Sequence, residues 1–310
     1  MSVLICGSIA FDNIMVFQGR FREHILPDQL HMLSLSFLVP QMRRGFGGCA
    51  GNIIYNLHLL GGEGYVMGTV GDDFERYAKW MDDHAVSRRY VMEIKGKFTA
   101  SAFIITDLDD NQITAFHSGA MDSCHLGKVP TDAGIKFGLV SPEGREGMLA
   151  HAEQFCAAGI PYLFDPGQGT PMFDADELMR FIERADWCAC NDYESSLISE
   201  RTGLSLARIA ERLRALIVTR GKDGAVIYTD GKQFEIPPVT PRQVADPTGC
   251  GDAHRAGILY GLQNDMDWET SGRIASLMGA IKVESTGTQN HTFTPDEFAE
   301  RFRESFGYTL

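Results

Sequence analysis

The sequence is poor in positive charge. Lys and Arg supply 28 of its 310 residues against 41 Asp and Glu, a formal net charge of −13, so it lacks the broad basic surface that neutralises nucleic-acid phosphates or anionic membranes. Neither nucleic acid nor membrane is an expected partner, and any anionic ligand must be met locally. The seven cysteines are odd in number and contain no CxxC pair. Cys188 and Cys190 make only a CxC, which argues against a disulfide framework and for a reducing, cytoplasmic setting. The opening Val3-Leu4-Ile5-Cys6 is too short for a signal peptide, and no run approaches the ~18 apolar residues of a transmembrane helix. What is present is a 44% apolar chain, enough for one large α/β domain over residues 1–310.

Short apolar runs alternate with segments of helical period, the pattern of βαβ units on a mostly parallel sheet. Strands are expected at Ser2 to Cys6, Tyr65 to Thr69, Phe137 to Val140, Tyr162 to Phe164, Trp187 to Cys190 and Leu216 to Thr219. Helices are expected over Asn52 to Leu60, stopped by Gly61-Gly62, and over Met148 to Ala158, stopped by Gly159. Two stretches read as antiparallel ribbon instead. Leu33-Ser34-Leu35-Ser36-Phe37 alternates apolar and hydroxyl residues, and Ser101 to Phe116 reads as a hairpin around Asp109-Asp110-Asn111-Gln112. They form either an edge extension of the main sheet or a lid that excludes water.

Gly249-Cys250-Gly251 precedes the apolar-periodic stretch Ala253 to Leu262. Unpaired N–H groups and the positive end of a helix dipole favour phosphate there, and small residues let it approach the backbone. Asp252, just behind, has two readings: it complements the dipole, or it is the base that phosphoryl transfer to an alcohol needs.

The segment Asp246-Pro247-Thr248-Gly249-Cys250-Gly251-Asp252-Ala253 resembles the C-terminal signature of the PfkB, or ribokinase-like, sugar and nucleoside kinases, and further landmarks follow in that family's order along nearly the whole chain. The resemblance implies a ribokinase-like α/β fold, a mostly parallel sheet flanked by helices, with a small antiparallel β lid built from about 11–41 and 97–119. It also implies ATP and magnesium as cofactors. Asp252 becomes the catalytic base, and Gly249, Cys250 and Gly251 the anion hole. Gly45-Phe46-Gly47-Gly48-Cys49-Ala50-Gly51-Asn52 is similar to the family's substrate-binding signature, so Gly47, Gly48 and Asn52 join Asp12 as sugar ligands. Asn191-Asp192-Tyr193-Glu194 looks like the family's Asn-x-x-Glu element, with Asn191 at the nucleotide and Glu194 in the magnesium network; a helix-start carboxylate is its bland reading. Thr219, Gly221 and Gly224 match a nucleotide-binding turn, and Asn290 an adenine contact. Asp246, Thr248 and the backbone around Ser285 correspond to a monovalent-cation loop, which adds potassium. His254 stands where many relatives carry an aromatic residue and reads as a helix-packed neutral imidazole.

Phe11-Asp12-Asn13-Ile14-Met15 and the stretch from Asn111 to Met121 resemble microbial adenosine and broad-specificity nucleoside kinases. The implied reaction is phosphorylation of a nucleoside 5'-hydroxyl (adenosine, inosine, guanosine or cytidine) in purine salvage, with Gln112, Phe116 and Gln168 as candidate base contacts and a homodimer through the lid. Ribose or fructose is the alternative substrate. Two readings from other classes remain. Gly45-Phe46-Gly47-Gly48-Cys49-Ala50 fits a GxGxxA dinucleotide fingerprint, although some forty residues separate it from the first strand, where it should follow at once. A nucleoside-binding sensor without turnover would share the fold.

Overall fold

In a computed structural model that describes residues 2–25, 35–109 and 111–310, the strands alternate their side chains between two buried faces. Strand β1 (Ser2–Cys6) sends Val3 and Ile5 into one apolar cluster and Leu4 and Cys6 into another. This is why its sequence reads as an unbroken apolar run: a parallel strand covered on both faces has no polar side. The other members of the main sheet are β4 (Gly64–Val70), β5 (Tyr90–Glu93), β8 (Ile135–Val140), β9 (Tyr162–Phe164), β10 (Trp187–Asn191), β11 (Ala215–Thr219), β12 (Ala225–Thr229) and β13 (Lys232–Ile236). They lie in the order β13-β12-β11-β10-β9-β8-β1-β4-β5. Pairing is parallel from β11 to β5, and β12 and β13 add an antiparallel edge.

On one face pack α1 (Cys49–Leu59), α2 (Glu75–Asp83), α7 (Cys250–Gln263) and α8 (Trp268–Val283), which bury Ile53, Leu57, Tyr77, Ile258 and Ala275 against the sheet. On the other lie α3 (Arg145–Ala158), α4 (Ala175–Arg184), α5 (Asp192–Thr202) and α6 (Leu206–Ala210), with Met148, Phe155, Phe181, Ile198 and Ile209 inward. Helix α9 (Pro295–Phe306) packs Phe298 and Phe302 onto α8. Among the described residues no helix is long and apolar enough to cross a membrane.

A second sheet stands beside the first, in the order β3-β2-β6-β7: β2 (Ala10–Val16), β3 (Gln41–Gly47), β6 (Ala100–Thr106) and β7 (Gln112–His117). Its outer pairs are antiparallel and the inner pair β2–β6 is parallel. The hairpin expected over Ser101 to Phe116 is β6–β7; Asp110 of its turn lies outside the described residues. The strand expected at Leu33 to Phe37 is corrected. Leu33 and Ser34 lie outside the described residues, Leu35 to Phe37 form no strand, and Phe37 packs among Phe17, Phe21 and His24 instead of joining a ladder. The partner of β2 is β3, which runs straight through Gly45 and Gly47.

Candidate active site

The parallel strands end along one edge, and the polar residues that follow them converge there, as ligand sites of open α/β sheets do. Ser8 follows β1, Ser141 follows β8, Asp165 follows β9, and Asn191 and Thr219 close β10 and β11 as register partners. Facing them, α7 begins. Its N-cap Gly249 has φ 81°, a left-handed conformation that a side chain disfavours. The Cys250 N–H donates to Pro247 O at 3.2 Å, whereas among the described residues the N–H groups of Gly249, Gly251 and Asp252 have no partner. Of the expected anion-hole residues, Gly249 and Gly251 thus offer open N–H groups, together with Asp252, while the Cys250 N–H closes a turn. Burial pushes the Cys250 thiol up to about 11, which keeps it protonated and makes it a poor nucleophile.

Asp252 is half-buried and accepts a hydrogen bond from Asn52 Nδ2 at 2.7 Å. Burial, with Asp165 acting in the same direction, raises its carboxyl from the usual 3.8 to about 7, against the Asn52 bond and the Arg255 charge. A carboxylate so poised is a base suited to neutral pH. Asn52 was expected to hold a sugar hydroxyl. It is buried, its Nδ2 donates to Asp252 and its Oδ1 accepts from Gln289 Nε2 at 2.8 Å, so the amide is oriented toward Asp252. Gln289 also donates to Tyr77 Oη, which donates to Gly47 O at 2.9 Å. Asp12, half-buried in β2, is raised to about 6, chiefly by burial and then by Asp246. It lies directly over Gly47, where a Cβ would come 2.4 Å from its Oδ2. Gly48 caps α1 with φ 86°, and a Cβ there would meet Ser8 O at 2.5 Å. Both glycines therefore let the end of β3 and the start of α1 lie against Asp12 and the backbone of residues 8–10.

Behind Asp252, Arg255 is buried on α7 and bonds Asp165 Oδ1 at 3.0 Å and Ala189 O at 3.3 Å, with Glu194 Oε2 3.8 Å away. Its Nη1 lies toward Gly251, 3.8 Å from where a Cβ on that residue would stand. Asn191 and Glu194 form the capping box of α5, each side chain bonding the other's backbone N–H. The bland reading of Asn-x-x-Glu is thus realised. The Glu194 carboxyl is nonetheless raised by burial and by Asp165, so it stands at the edge of the same charged cluster. Thr219 Oγ1 reaches Cys190 O at 3.5 Å. The turn after it bends at Gly221 and Gly224, with φ 55° and 82°.

The loop after α8 closes the site. Thr288 Oγ1 donates to Phe46 O, and Asp246 accepts from the N–H groups of Thr248 and Gly287 at 2.9 and 2.8 Å. The Lys282 ammonium donates to Asp246 O at 2.7 Å and to Ser285 O at 3.1 Å. Asn290, expected at the adenine, is exposed and bonds back to Thr286 O. His254 is buried, and burial lowers its imidazole to about 3, so it is the neutral, packed ring expected. In the small sheet, Gly45, Asp12, Ala102 and Phe116 form one cross-strand row, so Phe116 shares a sheet face with Asp12. Gln112 lies on that face four residues farther, roughly 13 Å along the strand. Gln168 is exposed on the turn after Asp165.

The model of the pfkB family carbohydrate kinases matches residues 12–295. The chain belongs to that family. A nucleoside kinase of Methanocaldococcus jannaschii is 34% identical over 272 residues, 86% of this chain and 88% of its own. The solved Burkholderia thailandensis nucleoside kinase in complex with inosine is 51% identical, with TM-score 0.90 over 99% of both chains. Its complex with ADP-inosine gives 52% and 0.88 over 99% of this chain and 97% of the other. For this PfkB kinase the dinucleotide fingerprint falls away: Gly45 and Gly47 lie in a strand of the small sheet, not in a turn after β1. Arg255, Gln289 and Lys282 are the site residues that the sequence reading missed. The available signal was a charge inside an apolar helical stripe, at Arg255 between Ala253 and Ala256 and at Lys282 after Ile281.

Proposed function

We propose that this chain is an ATP-dependent nucleoside kinase that transfers the γ-phosphoryl group to the ribose 5'-hydroxyl, with Asp252 as general base. The observation that carries the reading is Asp252 itself, held by Asn52 and titrating near 7 beside the open N–H groups at the start of α7. The 5'-hydroxyl proton passes to Asp252, its oxygen bonds the γ-phosphorus, and the bridging bond to ADP breaks. The N–H groups of Gly249, Gly251 and Asp252 carry the charge of the transferring group, joined by Arg255 Nη1. Asp12, seated on Gly47 and with Gly48 next in the chain, binds the ribose. Phe116, in the same row, covers the base, with Gln112 and Gln168 as outer polar contacts. Thr219, Gly221, Gly224, Asn191 and Asn290 line the nucleotide side.

Magnesium fits the donor set: Glu194 and Asp165 present hard carboxylate oxygens beside the phosphate cradle, and magnesium characteristically takes one or two carboxylates, waters and substrate phosphates. When bound it offsets phosphate charge. The small sheet, with strands at 10–16, 41–47, 100–106 and 112–117, acts as the lid of a single kinase domain. Its outer strand β7 is exposed throughout, Ile113 and Phe116 included, so a homodimer forms through it, which sedimentation of the purified chain checks. Purine salvage in the cytoplasm is the corresponding role. The deciding experiment is ADP release with adenosine, inosine, guanosine, cytidine, ribose and fructose. Turnover of nucleosides is expected, and turnover of the free sugars alone overturns the reading.

A further inference from the structure

The carbonyl oxygens where the sequence led to an exchangeable monovalent cation are already occupied by a charge of the chain's own. Lys282 is fully buried in the last turn of α8 (0% exposed), and its ammonium donates to Asp246 O and Ser285 O. The end of a helix is rich in unpaired carbonyls and carries the negative end of the dipole, so a cation is favoured there. The surrounding segments are tied to one another: Ala245 and Asp246 donate backbone bonds to Val283 O, and the Asp246 carboxylate takes the N–H groups of Thr248 and Gly287. From Asp246 O it is three residues to Gly249, the first open donor of the cradle. Backbone carbonyl oxygens are what replace the water shell of potassium in ion-selective proteins.

We propose that Lys282 is a tethered cation that takes the place of potassium in this kinase, fixing the loop 246–249 and so aiming the N–H groups that follow. Lys282 is a positioning residue, since it acts through that loop. The inference rests on reading residues 249–252 as the phosphate cradle. The contrast with a lysine that merely fills space is chemical. Lys282→Ala frees the Asp246 and Ser285 carbonyls and leaves space that a free ion can enter, whereas Lys282→Met fills the same space without charge.

The test measures ADP release and melting temperature of the wild type and both variants in potassium, ammonium, sodium and tetramethylammonium chlorides at equal ionic strength. The wild type is expected to vary by less than about twofold among the salts, since screening alone is then constant. Lys282→Ala should lose about 10- to 100-fold in kcat with the nucleoside KM little changed, as a misaimed donor set does. Potassium or ammonium should restore most of that loss and raise the melting temperature, as a ligand of the folded state does, while tetramethylammonium does neither. Lys282→Met should lose activity that no salt restores. Several-fold activation of the wild type by potassium overturns the proposal. So does an Ala variant whose activity and melting temperature are equal in every salt, or one that folds in none of them. An Ala variant that folds only with potassium or ammonium supports it. The melting data stand whether or not nucleosides prove to be the substrate, so failure of the tethered cation and failure of the kinase reading are told apart.

Discussion

Replacing Asp252 by Asn should make the protein more stable while removing its chemistry, and the pH dependence of the gain identifies the cause. The carboxyl keeps its proton up to about 7 in the folded chain, against an ordinary 3.8. Between about pH 4 and 7 the folded state therefore binds more protons than the unfolded one, and stability falls as pH rises through that window. At about 1.4 kcal/mol per pH unit the full displacement costs about 4 kcal/mol at about pH 8, and about half of that once solvent screens the half-exposed group. The neutral amide escapes this cost and still accepts the Asn52 bond. About 2 kcal/mol in a chain of this size corresponds to a melting temperature about 3 °C higher at about pH 8, a gain that vanishes near pH 4. Turnover should drop about 10²- to 10⁴-fold, with nucleoside binding by calorimetry retained. Thermal melts across pH, ADP release and calorimetry on one preparation give all three quantities. A melting difference independent of pH, or turnover within about tenfold of the wild type, would refute the assignment.

Three other perturbations probe the neighbours. Asn52→Leu removes the hydrogen bond that lowers the Asp252 carboxyl, so the pH midpoint of kcat/KM, expected near 7 with activity rising toward alkaline pH, should move upward and kcat should fall about 10- to 100-fold; an unmoved midpoint counts against that bond. Gly47→Ala places a Cβ 2.4 Å from Asp12 Oδ2 and should raise the nucleoside KM about tenfold or more by disturbing one charged hydrogen bond, leaving the KM for ATP unchanged in a two-substrate titration. Arg255→Met leaves Asp165 and Glu194 without their cation; denaturant melts should show a loss of about 3–5 kcal/mol, the cost of breaking a buried pair, relieved in part at acid pH as Glu194, whose carboxyl is already raised, takes up a proton.

What the sequence disclosed depended on how local the physics was. Tyr162–Phe164 and Ser2–Cys6 were legible because strands buried on both faces are continuous apolar runs, and the stop of α3 was legible because Gly159 takes the left-handed cap. Asp252 was legible because the glycine-rich start of α7 is a contiguous motif. Gly45 to Gly48 also fitted a dinucleotide fingerprint, yet β3 runs through Gly45 and Gly47, and at Gly47 and Gly48 the Asp12 carboxylate and the backbone of residues 8–10 lie too close for a side chain. The bonds of Asn52 were not legible, because nothing local shows that Gln289, 237 positions away, and Asp252, 200 away, meet its amide. Arg255 escaped for the same reason, its partners Asp165, Ala189 and Glu194 lying more than sixty positions away, and so did the bond of Lys282 to Asp246 O, 36 positions back.

The span of the Asn52–Asp252 bond also bears on synthesis. The 200 residues between them take roughly 10–40 s to make at about 5–20 residues per second. A nascent chain can therefore shape its first strands and α1 long before α7 exists. The Asn52–Asp252 bond itself can form only once α7 has been made and has docked on α1.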